Sequence, residues 1–396
     1  MPPCSRLVLA SALAALALVL LTAPAAARTV PQGWLGAQAD GPLTGPDSQA
    51  YEGEWSRMAA SGVESVRAAF YWSEAQPYRT FAEVPAESRG AFRDVGGIPT
   101  DFSPYDRVVR AAARRRLGVL PVVQRAPDWA REKTFDIASP PRDPATLAAF
   151  MRALVGRYGS KGSFWAENPG LPRMTIFSWQ IWNEPDLELY WSRQPFARHY
   201  VRVLRAAHRA LNDADPRSRT VLAGFPNESF RALRSVYRAG GKGAFDVVAL
   251  HPYTGKPRNV VRLIELARRE TRRAGEPRKQ IWVSELSWPA ATGRAHGPPG
   301  FTTTDRGQAR RLTEAVRRLA AARRRLRIGR VYWYTWLSEA RGPSAFAYSG
   351  LRRLGPDGAS VESAPALEAF SSAARRLQGC AKSPDDATRC ISSSTS

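Results

Sequence analysis

The amino-acid sequence predicts an α/β protein consisting of a single (β/α)8 barrel, the TIM-barrel architecture. Eight short segments rich in valine, isoleucine or aromatic residues recur along the 396 residues and alternate with stretches of helical periodicity. Most of these segments are almost continuously apolar, which is typical of parallel strands buried on both faces. We see no internal repeat and no internal linker, so the pattern favours one large barrel domain over two smaller ones.

The predicted strands follow one another with a helical segment after each. They cover residues 34–39, 65–70, 118–124, 175–183, 220–225, 245–251, 280–285 and 330–336. In barrels of this kind the carboxyl ends of the strands carry the active site. The polar residues at which these segments end are therefore the first candidates for an active site.

The segments between the strands show the three- and four-residue spacing of amphipathic helices. After the fourth strand the apolar face consists of Phe196, Tyr200, Val203, Leu204, Ala207 and Leu211. Ser103 and Pro104 predict an N-cap and a first-turn proline for the helix after the second strand, and Asp305 predicts the start of a long helix that ends near Gly329. Segments 71–101 and 292–304 are irregular and rich in glycine and proline, so we expect loops that shape substrate access.

The two ends of the chain predict export. Residues 1–27 resemble a secretory signal: Arg6 precedes an uncharged apolar stretch, and small residues at 25–27 suit cleavage before Arg28. A retained N-terminal anchor is the alternative. Cys4 would leave with the signal, so Cys380 and Cys390 form an even pair, for which we expect a disulfide. The predicted domains are a signal peptide at 1–27, a catalytic barrel at 28–377 and a polar tail at 378–396.

The formal net charge of the chain is +23, from 58 basic and 35 acidic residues. The arginines are spread along helical segments, as at 114–116 and 323–325, with no nucleic-acid-binding motif beside them. We interpret the charge as solvated helix faces, with attraction to an anionic glycan or to the cell envelope as the alternative. Nucleic acid is not an expected partner.

Two glutamates end apolar, tryptophan-containing runs. Glu184 lies in the motif Trp-Asn-Glu-Pro at 182–185, and Glu285 follows Ile-Trp-Val-Ser at 281–284. Burial disfavours a charged carboxyl, so such positions are costly to occupy without a role. Two carboxyls at the ends of strands four and seven, with tryptophan beside them, indicate acid/base and nucleophilic chemistry on a sugar.

These motifs resemble those of the clan A glycoside hydrolases over about residues 34–374, and most closely families 39 and 5. The segments 248–253 and 333–336 favour family 39 slightly. The resemblance implies a retaining enzyme, in which Glu184 is the proton donor and then the base, and Glu285 is the nucleophile. The alternative for each glutamate is a structural carboxylate paired with an arginine.

The resemblance also implies roles for residues around the two carboxyls. Asn183 would bond the sugar 2-hydroxyl, unless it is a turn residue. Arg67, at the end of strand two, resembles the clan arginine that keeps the nucleophile ionised, unless it forms a surface ion pair. Tyr253 resembles a tyrosine that donates to the nucleophile.

Further substrate contacts are expected after strands six and eight. His251 would bond near the nucleophile or to substrate, unless it is a core histidine. Trp336 would form the sugar platform, unless it packs in the barrel. Weaker candidates for sugar contacts are Trp34, Gln38, Gln124, Trp129 and Glu339.

The sequence contains no metal-ligand spacing, no glycine-rich phosphate loop and no dinucleotide fingerprint, so no cofactor is expected. Together the features predict a secreted, monomeric retaining glycosidase, an O-glycosyl hydrolase acting on an oligo- or polysaccharide. The alternatives are a non-catalytic carbohydrate-binding protein on the same barrel, and a basic envelope- or nucleic-acid-associated protein whose barrel is incidental. The identity of the sugar, and exo versus endo action, remain open.

Overall fold

The computed structural model describes residues 27–298 and 300–391. Eight parallel strands close into a barrel. They are β1 Leu35–Ala39, β2 Ser65–Tyr71, β3 Gly118–Gln124, β4 Ser178–Ile181, β5 Arg219–Val221, β6 Val247–His251, β7 Gln280–Leu286 and β8 Ile328–Trp333. Each strand pairs with the next in chain order, and Leu35 of β1 pairs with Val331 of β8 to close the ring. The predicted (β/α)8 barrel is confirmed, and each predicted strand overlaps one of the eight.

Helices lie in the chain between successive strands, and a last helix follows β8. They are α1 Glu52–Ala60, α2 Trp72–Ala75, α3 Ser103–Arg114, α4 Pro144–Tyr158, α5 Ser163–Glu167, α6 Ala197–Ala214, α7 Ser229–Arg238, α8 Pro257–Arg273, α9 Asp305–Leu326 and α10 Pro365–Gln378. The predicted start of the long helix at Asp305 is confirmed, whereas Ser103, the predicted N-cap, is the first residue of α3. Helix α3 begins at Ser103, whose N–H is capped by the Asp101 carboxylate at 2.8 Å, and α9 is capped by Thr304, whose hydroxyl accepts from Gly307 N–H.

The remaining elements are short. Small strands lie at Arg93–Val95, Ile98–Thr100, Phe225–Pro226, Leu337–Ser338, Arg352–Leu354, Val361–Ser363, Lys382–Ser383 and Asp386–Cys390. Turns of 3-10 helix lie at Gly41–Leu43, Ser48–Tyr51, Phe81–Glu83, Ala86–Ala91 and Ala345–Tyr348. The fifth predicted strand thus divides in two, because the chain leaves the barrel after Val221 and pairs with β6 again at Phe225.

The core has two layers, which follow from the alternation of side chains along each strand. Val248 and Leu250 of β6 belong to the large cluster that includes apolar side chains of the helices. Their neighbours Val247 and Ala249 face the other way, in a smaller cluster with Leu120, Val221, Trp282 and Tyr332, all on barrel strands. That smaller cluster fills the barrel interior, so the barrel is a packed scaffold on which the strand ends are held rigidly.

The C-terminal segment packs against the barrel. Cys380 and Cys390 form the expected disulfide, with their Cα atoms 5.6 Å apart. The hairpin that the disulfide closes is anchored by Ala387, which is fully buried and donates its N–H to the Arg115 carbonyl. The predicted signal peptide, with Cys4, lies outside the described residues apart from Ala27. Within the described part of the chain, no helix is both long and apolar enough to cross a membrane.

Candidate active site

A cavity of about 200 Å³ opens at the carboxyl ends of the strands. Its lining includes seven of the residues singled out in the sequence. They are Gln38, Arg67, Gln124, Asn183, Glu184, Tyr253 and Glu285. These residues come from β1, β2, β3 and β7 and from the segments after β4 and β6, so only the closed barrel brings them together.

Arg67, on β2, connects four strands or strand ends across the barrel. Its side chain is buried. Nη1 donates to Glu285 Oε1 at 2.6 Å and to Gln38 Oε1 at 2.7 Å. Nη2 donates to Asn183 Oδ1 at 2.7 Å, and Nε donates to Gln180 Oε1 at 3.0 Å. Because every group around it accepts, the guanidinium fixes the orientation of the three amides and of the carboxyl.

Glu285 is held as a hydrogen-bond acceptor at both oxygens. Oε1 accepts from Arg67, and Oε2 accepts from the Tyr253 hydroxyl at 2.7 Å. A positively charged donor on one oxygen and a phenol on the other suit the ionised carboxylate. An ionised carboxylate with a fixed orientation is what a nucleophile at this position requires.

The position of Tyr253 follows from a tight turn at the end of β6. The Tyr253 N–H donates to the His251 carbonyl at 2.8 Å across Pro252, closing a three-residue turn. The turn directs the Tyr253 ring back over the strand ends towards Glu285. His251, the last residue of β6, is fully buried beside it.

Glu184 is held by an unusual stretch of backbone. Trp182 and Glu184 have φ angles of 71° and 42°, in the left-handed region that non-glycine residues rarely adopt. The Glu184 N–H donates to the Gly224 carbonyl at 3.1 Å, and the Trp182 indole donates to the Tyr190 carbonyl at 2.7 Å. These contacts hold the strained segment in place, so the carboxyl of Glu184 is aimed at the cavity instead of continuing the strand.

The two glutamates have unlike surroundings. Burial raises the pKa of Glu184 to about 7, against an opposing effect of Arg67. His251 Nδ1 lies 2.6 Å from Glu184 Oε1 and 3.6 Å from Glu285 Oε2. Carboxylate oxygens of Glu184 and Glu285 lie within 4.8 Å of each other. One carboxyl is therefore suited to hold a proton near neutral pH while the other accepts hydrogen bonds from a cation and a phenol.

His251 is a neutral bridge between the carboxyls. Burial lowers its pKa to about 3, although the charge of Glu285 acts in the opposite direction. Its Nε2 has no hydrogen-bond partner among the described residues and faces Gly224. Placing the ring proton on Nδ1 therefore lets the imidazole donate to Glu184 whenever that carboxyl is ionised.

Two further carboxyls nearby have raised pKa values. Burial raises the pKa of Asp40 to about 6; the hydrogen bond from Thr335 opposes the shift, and the charge of Glu285 adds to it. Burial also raises the pKa of Asp186 to about 7, to which the charge of Glu184 contributes. Of these two, Asp40 lines the cavity and is available to a ligand as either a donor or an acceptor.

Asn183 presents its amide nitrogen to the cavity. Because Arg67 donates to Oδ1, the Nδ2 group points the other way, and it has no protein partner among the described residues. A donor at this place could bind a hydroxyl of a ligand lying across both carboxyls.

Glu184, His251 and Glu285 are also close enough to coordinate a metal ion, with one donor atom of each within 4.8 Å of the others. However, both oxygens of Glu285 are engaged by Arg67 and Tyr253. A cation would have to bind beside the guanidinium of Arg67, so the donor set suits proton transfer better than metal binding.

Some residues expected to contact sugar lie elsewhere. Trp336 is fully buried, and its indole N–H donates to Glu54 Oε2 at 2.9 Å. Trp34 is fully buried at the opposite end of the barrel, where it donates to the Ile328 carbonyl. The sugar platform at Trp336 and the sugar contact at Trp34 are therefore corrected: both indoles pack within the protein. His251 contacts the carboxyls from behind the cavity lining.

The weaker candidates divide in the same way. Gln38 and Gln124 line the cavity. Trp129 is half-buried outside the lining, with its ring against Trp72 and its N–H on the Gln76 carbonyl. Glu339 is exposed, 3.9 Å from Arg341, so neither residue takes the expected place.

Besides the small apolar residues Ala69 and Val122, the sequence analysis missed six polar or aromatic side chains of the cavity lining. They are Asp40, Tyr71, Arg125, Tyr190, Tyr334 and Phe346. Tyr71 ends β2, and Asp40 and Arg125 directly follow β1 and β3, so the strand-end rule that singled out the glutamates could have found them. Tyr190 and Phe346 come from loops that carry no such signal.

The fold is shared with solved glycoside hydrolases. A family 39 glycoside hydrolase from Bacteroides cellulosilyticus WH2 superimposes with a TM-score of 0.57 and 16% identity, over 88% of this chain and 64% of that protein. A monomeric β-xylosidase from Caulobacter crescentus CB15 gives 0.59 and 18%, over 87% and 69%. A GH5_18 protein from Streptomyces cattleya, in complex with Manβ1-4GlcNAc, gives 0.60 and 17%, over 87% and 81%.

At these identities the likeness concerns the fold, and the barrel implied by the resemblance to clan A is confirmed. The chain spans less than two thirds of the length of the Bacteroides enzyme. No protein-family model matches the sequence, and no curated protein sequence matches it.

Proposed function

We propose that this protein is a retaining glycoside hydrolase that acts by double displacement, with Glu184 as acid/base and Glu285 as nucleophile. The observation that carries the proposal is the pair of unlike carboxyls with oxygens within 4.8 Å of each other. Retaining enzymes hold their carboxyl groups about 5–5.5 Å apart, whereas inverting enzymes need about 6.5–9.5 Å to admit a water molecule. The likeness of the fold to family 39 and family 5 enzymes supports the same chemistry.

In the first step Glu285 attacks the anomeric carbon while the glycosidic C–O bond breaks. The electron pair of that bond goes to the leaving oxygen, which takes the proton of Glu184. The raised pKa of Glu184 keeps that proton in place before the attack. The product of this step is an ester between Glu285 and the sugar.

In the second step Glu184, now ionised, removes a proton from water, which attacks the anomeric carbon and releases Glu285. Esterification removes the negative charge of Glu285, so Arg67 acts on Glu184 without a compensating anion. The pKa of Glu184 then falls, which suits its role as a base. The Asn183 amide nitrogen would bind the sugar 2-hydroxyl in both transition states.

The test begins with a panel of aryl glycosides that covers common sugars in both anomeric forms. We expect hydrolysis of at least one, with the first-formed sugar keeping the configuration of the substrate by NMR. Glu285→Ala should abolish turnover. Azide should restore activity to Glu285→Ala and give a glycosyl azide of inverted configuration, because the anion enters the space of the lost carboxylate. With Glu184→Ala, the glycosyl azide should instead have the same anomeric configuration as the substrate.

A first product of inverted configuration would contradict the mechanism. If the purified protein binds glycans but turns over neither aryl glycosides nor oligosaccharides, the non-catalytic carbohydrate-binding alternative becomes the better one. Salt-sensitive binding to DNA at physiological ionic strength would favour the basic-protein alternative.

We also propose that the protein is exported and acts as a monomer. Export is supported by the signal-like composition of residues 1–27 and by the disulfide. Arg28 pairs with Glu64, which also accepts from the Gly33 N–H, so the packed domain begins directly after the proposed cleavage site. N-terminal sequencing of protein recovered outside the cytoplasm should find Arg28 first. An uncleaved N-terminus in a membrane fraction would indicate the retained anchor.

A further inference from the structure

A second cavity adjoins the catalytic one. It has a volume of about 260 Å³ and lies beside the segments after β4, β5 and β6, against the loops after β7 and β8. Glu184, Tyr253 and Phe346 line both cavities, so the two spaces meet at the proposed proton donor.

Only one of the two carboxyls faces the second cavity. Glu184 lines it, whereas Glu285, Arg67 and Asn183 line the first cavity alone. In the proposed mechanism the sugar ring must touch the nucleophile, and the leaving oxygen must touch the proton donor. The group attached to the leaving oxygen therefore extends past Glu184 into the second cavity. This step rests on the proposed function.

The walls of the second cavity are mainly apolar. They include Leu187, Pro226, Pro298 and Phe301 together with the rings of Tyr253 and Phe346. Three of these rings pack against one another, with centroids 5.2–5.6 Å apart. The Tyr253 hydroxyl is committed to Glu285, so Tyr253 offers the second cavity its ring.

The two cavities differ in what they can bind. The first has polar walls, with Gln38, Asp40, Arg67, Gln124 and Asn183 available to the hydroxyls of a sugar. The described residues that line the second cavity include few polar side chains. Apart from Tyr253, they are Asn227, Thr254 and Glu184. A second sugar would bury several hydroxyls against too few partners, whereas an apolar group would be removed from water without that cost.

We propose that the second cavity is an aglycone site for apolar groups, so that the substrates of this protein are glycosides of hydrophobic alcohols or phenols. Leu187 and Phe346 are 38% and 37% exposed. Both therefore remain accessible to an apolar group that enters the second cavity.

The test uses n-alkyl glycosides of whichever sugar the aryl panel identifies, from methyl to hexyl. Their alcohols have nearly the same acidity, so differences in kcat/KM report binding of the chain and not leaving-group reactivity. Each methylene fully removed from water is worth about a fourfold increase. We expect kcat/KM to rise at least about tenfold from methyl to hexyl.

A pair of leucines on one loop provides the matched variants. Leu187 lines the second cavity, whereas Leu189 is 73% exposed and lines neither cavity. Leu187→Asn should flatten the dependence of kcat/KM on chain length. Leu189→Asn should leave both the dependence and the basal rate unchanged. Leu187 is partly exposed, so neither variant should affect folding.

If alkyl glycosides react too slowly to measure, the same comparison is made by transfer. The glycosyl-enzyme formed from an aryl glycoside is offered 1-hexanol or methanol, and we expect hexanol to be the better acceptor at equal concentration. A flat or falling series, or a disaccharide cleaved more efficiently than the hexyl glycoside, would overturn the apolar site while leaving the glycosidase intact. Absence of hydrolysis of every glycoside and oligosaccharide would instead overturn the proposed function.

Discussion

Arg67 Nη1 lies 2.6 Å from Glu285 Oε1, and both side chains are buried. The same guanidinium also bonds Gln38, Gln180 and Asn183, which lie on or directly after two other barrel strands. The proposed nucleophile is thus oriented by the barrel itself, whose strands are fixed by hydrogen bonds and core packing. This geometry does not depend on the closure of a loop.

Replacing Arg67 by methionine should remove both activity and stability. The change leaves the Glu285 carboxylate buried without its cation and leaves three amide oxygens without their donor. We expect kcat/KM to fall at least 100-fold and the free energy of unfolding to fall by about 3–5 kcal/mol. Steady-state kinetics and urea denaturation measure the two effects.

Arg57 offers a matched control for that substitution. Its side chain is 53% exposed and lies 3.8 Å from Glu54, so Arg57→Met should cost no more than about 1 kcal/mol. Adding Glu285→Gln to Arg67→Met should restore part of the lost stability and none of the activity. If Arg67→Met unfolds at the same urea midpoint as the wild type, the ion pair between Arg67 and Glu285 does not stabilise the site.

The pH dependence of activity should report Glu184. Since Glu184 must carry its proton to act as an acid, kcat/KM should fall as pH rises through about 7, the raised pKa of that carboxyl. A dinitrophenyl glycoside needs no protonation of its leaving group. With that substrate we therefore expect Glu184→Gln to keep the rate of the glycosylation step. Its kcat/KM should no longer fall as pH rises through about 7, the alkaline limb of the pH profile. An unchanged limb in Glu184→Gln would assign it to another group.

The same pKa predicts that Glu184 destabilises the folded protein at neutral pH. The unfolded chain releases this proton near the ordinary value of 4.5, whereas the folded protein holds it until about 7. Stability should thus decline as pH rises between these values, by on the order of 3 kcal/mol. Glu184→Gln removes this contribution, so the variant should gain stability over wild type from pH 5 to pH 7.5 in urea unfolding.

The sequence was sufficient to predict the strands and the carboxyls because both leave a local pattern. Buried parallel strands are visible in the sequence as nearly continuous apolar segments, and Glu184 and Glu285 are ionisable residues at the ends of two such segments. The roles of Trp336 and Tyr334 could not be assigned in this way. Strand β8 ends at Trp333, so beyond it the alternation of side chains no longer indicates which residue faces the cavity.

Tyr334 and Trp336 should therefore respond in opposite ways to substitution. Tyr334 lines the cavity and touches Phe346, so Tyr334→Ala should lower kcat/KM about tenfold or more with a smaller effect on stability. Trp336→Phe removes the N–H that Glu54 accepts, which should cost about 1–2 kcal/mol of stability and leave kcat/KM within about twofold. If Trp336→Phe lost activity without losing stability, the original prediction that Trp336 contacts the sugar would be supported after all.

Gly224 should be essential because His251 leaves no room for a side chain there. A Cβ at this position would lie 1.9 Å from His251 Nε2, so alanine must displace either the imidazole or the backbone. The Gly224 carbonyl accepts from the Glu184 N–H, and His251 Nδ1 contacts the Glu184 carboxyl, so either movement disturbs the proposed proton donor. We expect Gly224→Ala to lower kcat/KM at least about tenfold and to shift the alkaline limb of its pH profile.

Gly156, in helix α4, is the control for that substitution because a Cβ there meets nothing within 4 Å. Gly156→Ala should keep wild-type kinetics and stabilise the helix by about 0.5–1 kcal/mol. The shifted limb distinguishes a disturbed proton donor from general loss of folded protein, since partial unfolding lowers the rate equally at every pH. If Gly224→Ala had the wild-type rate and limb, contact between His251 and Glu184 would not control the protonation of the acid.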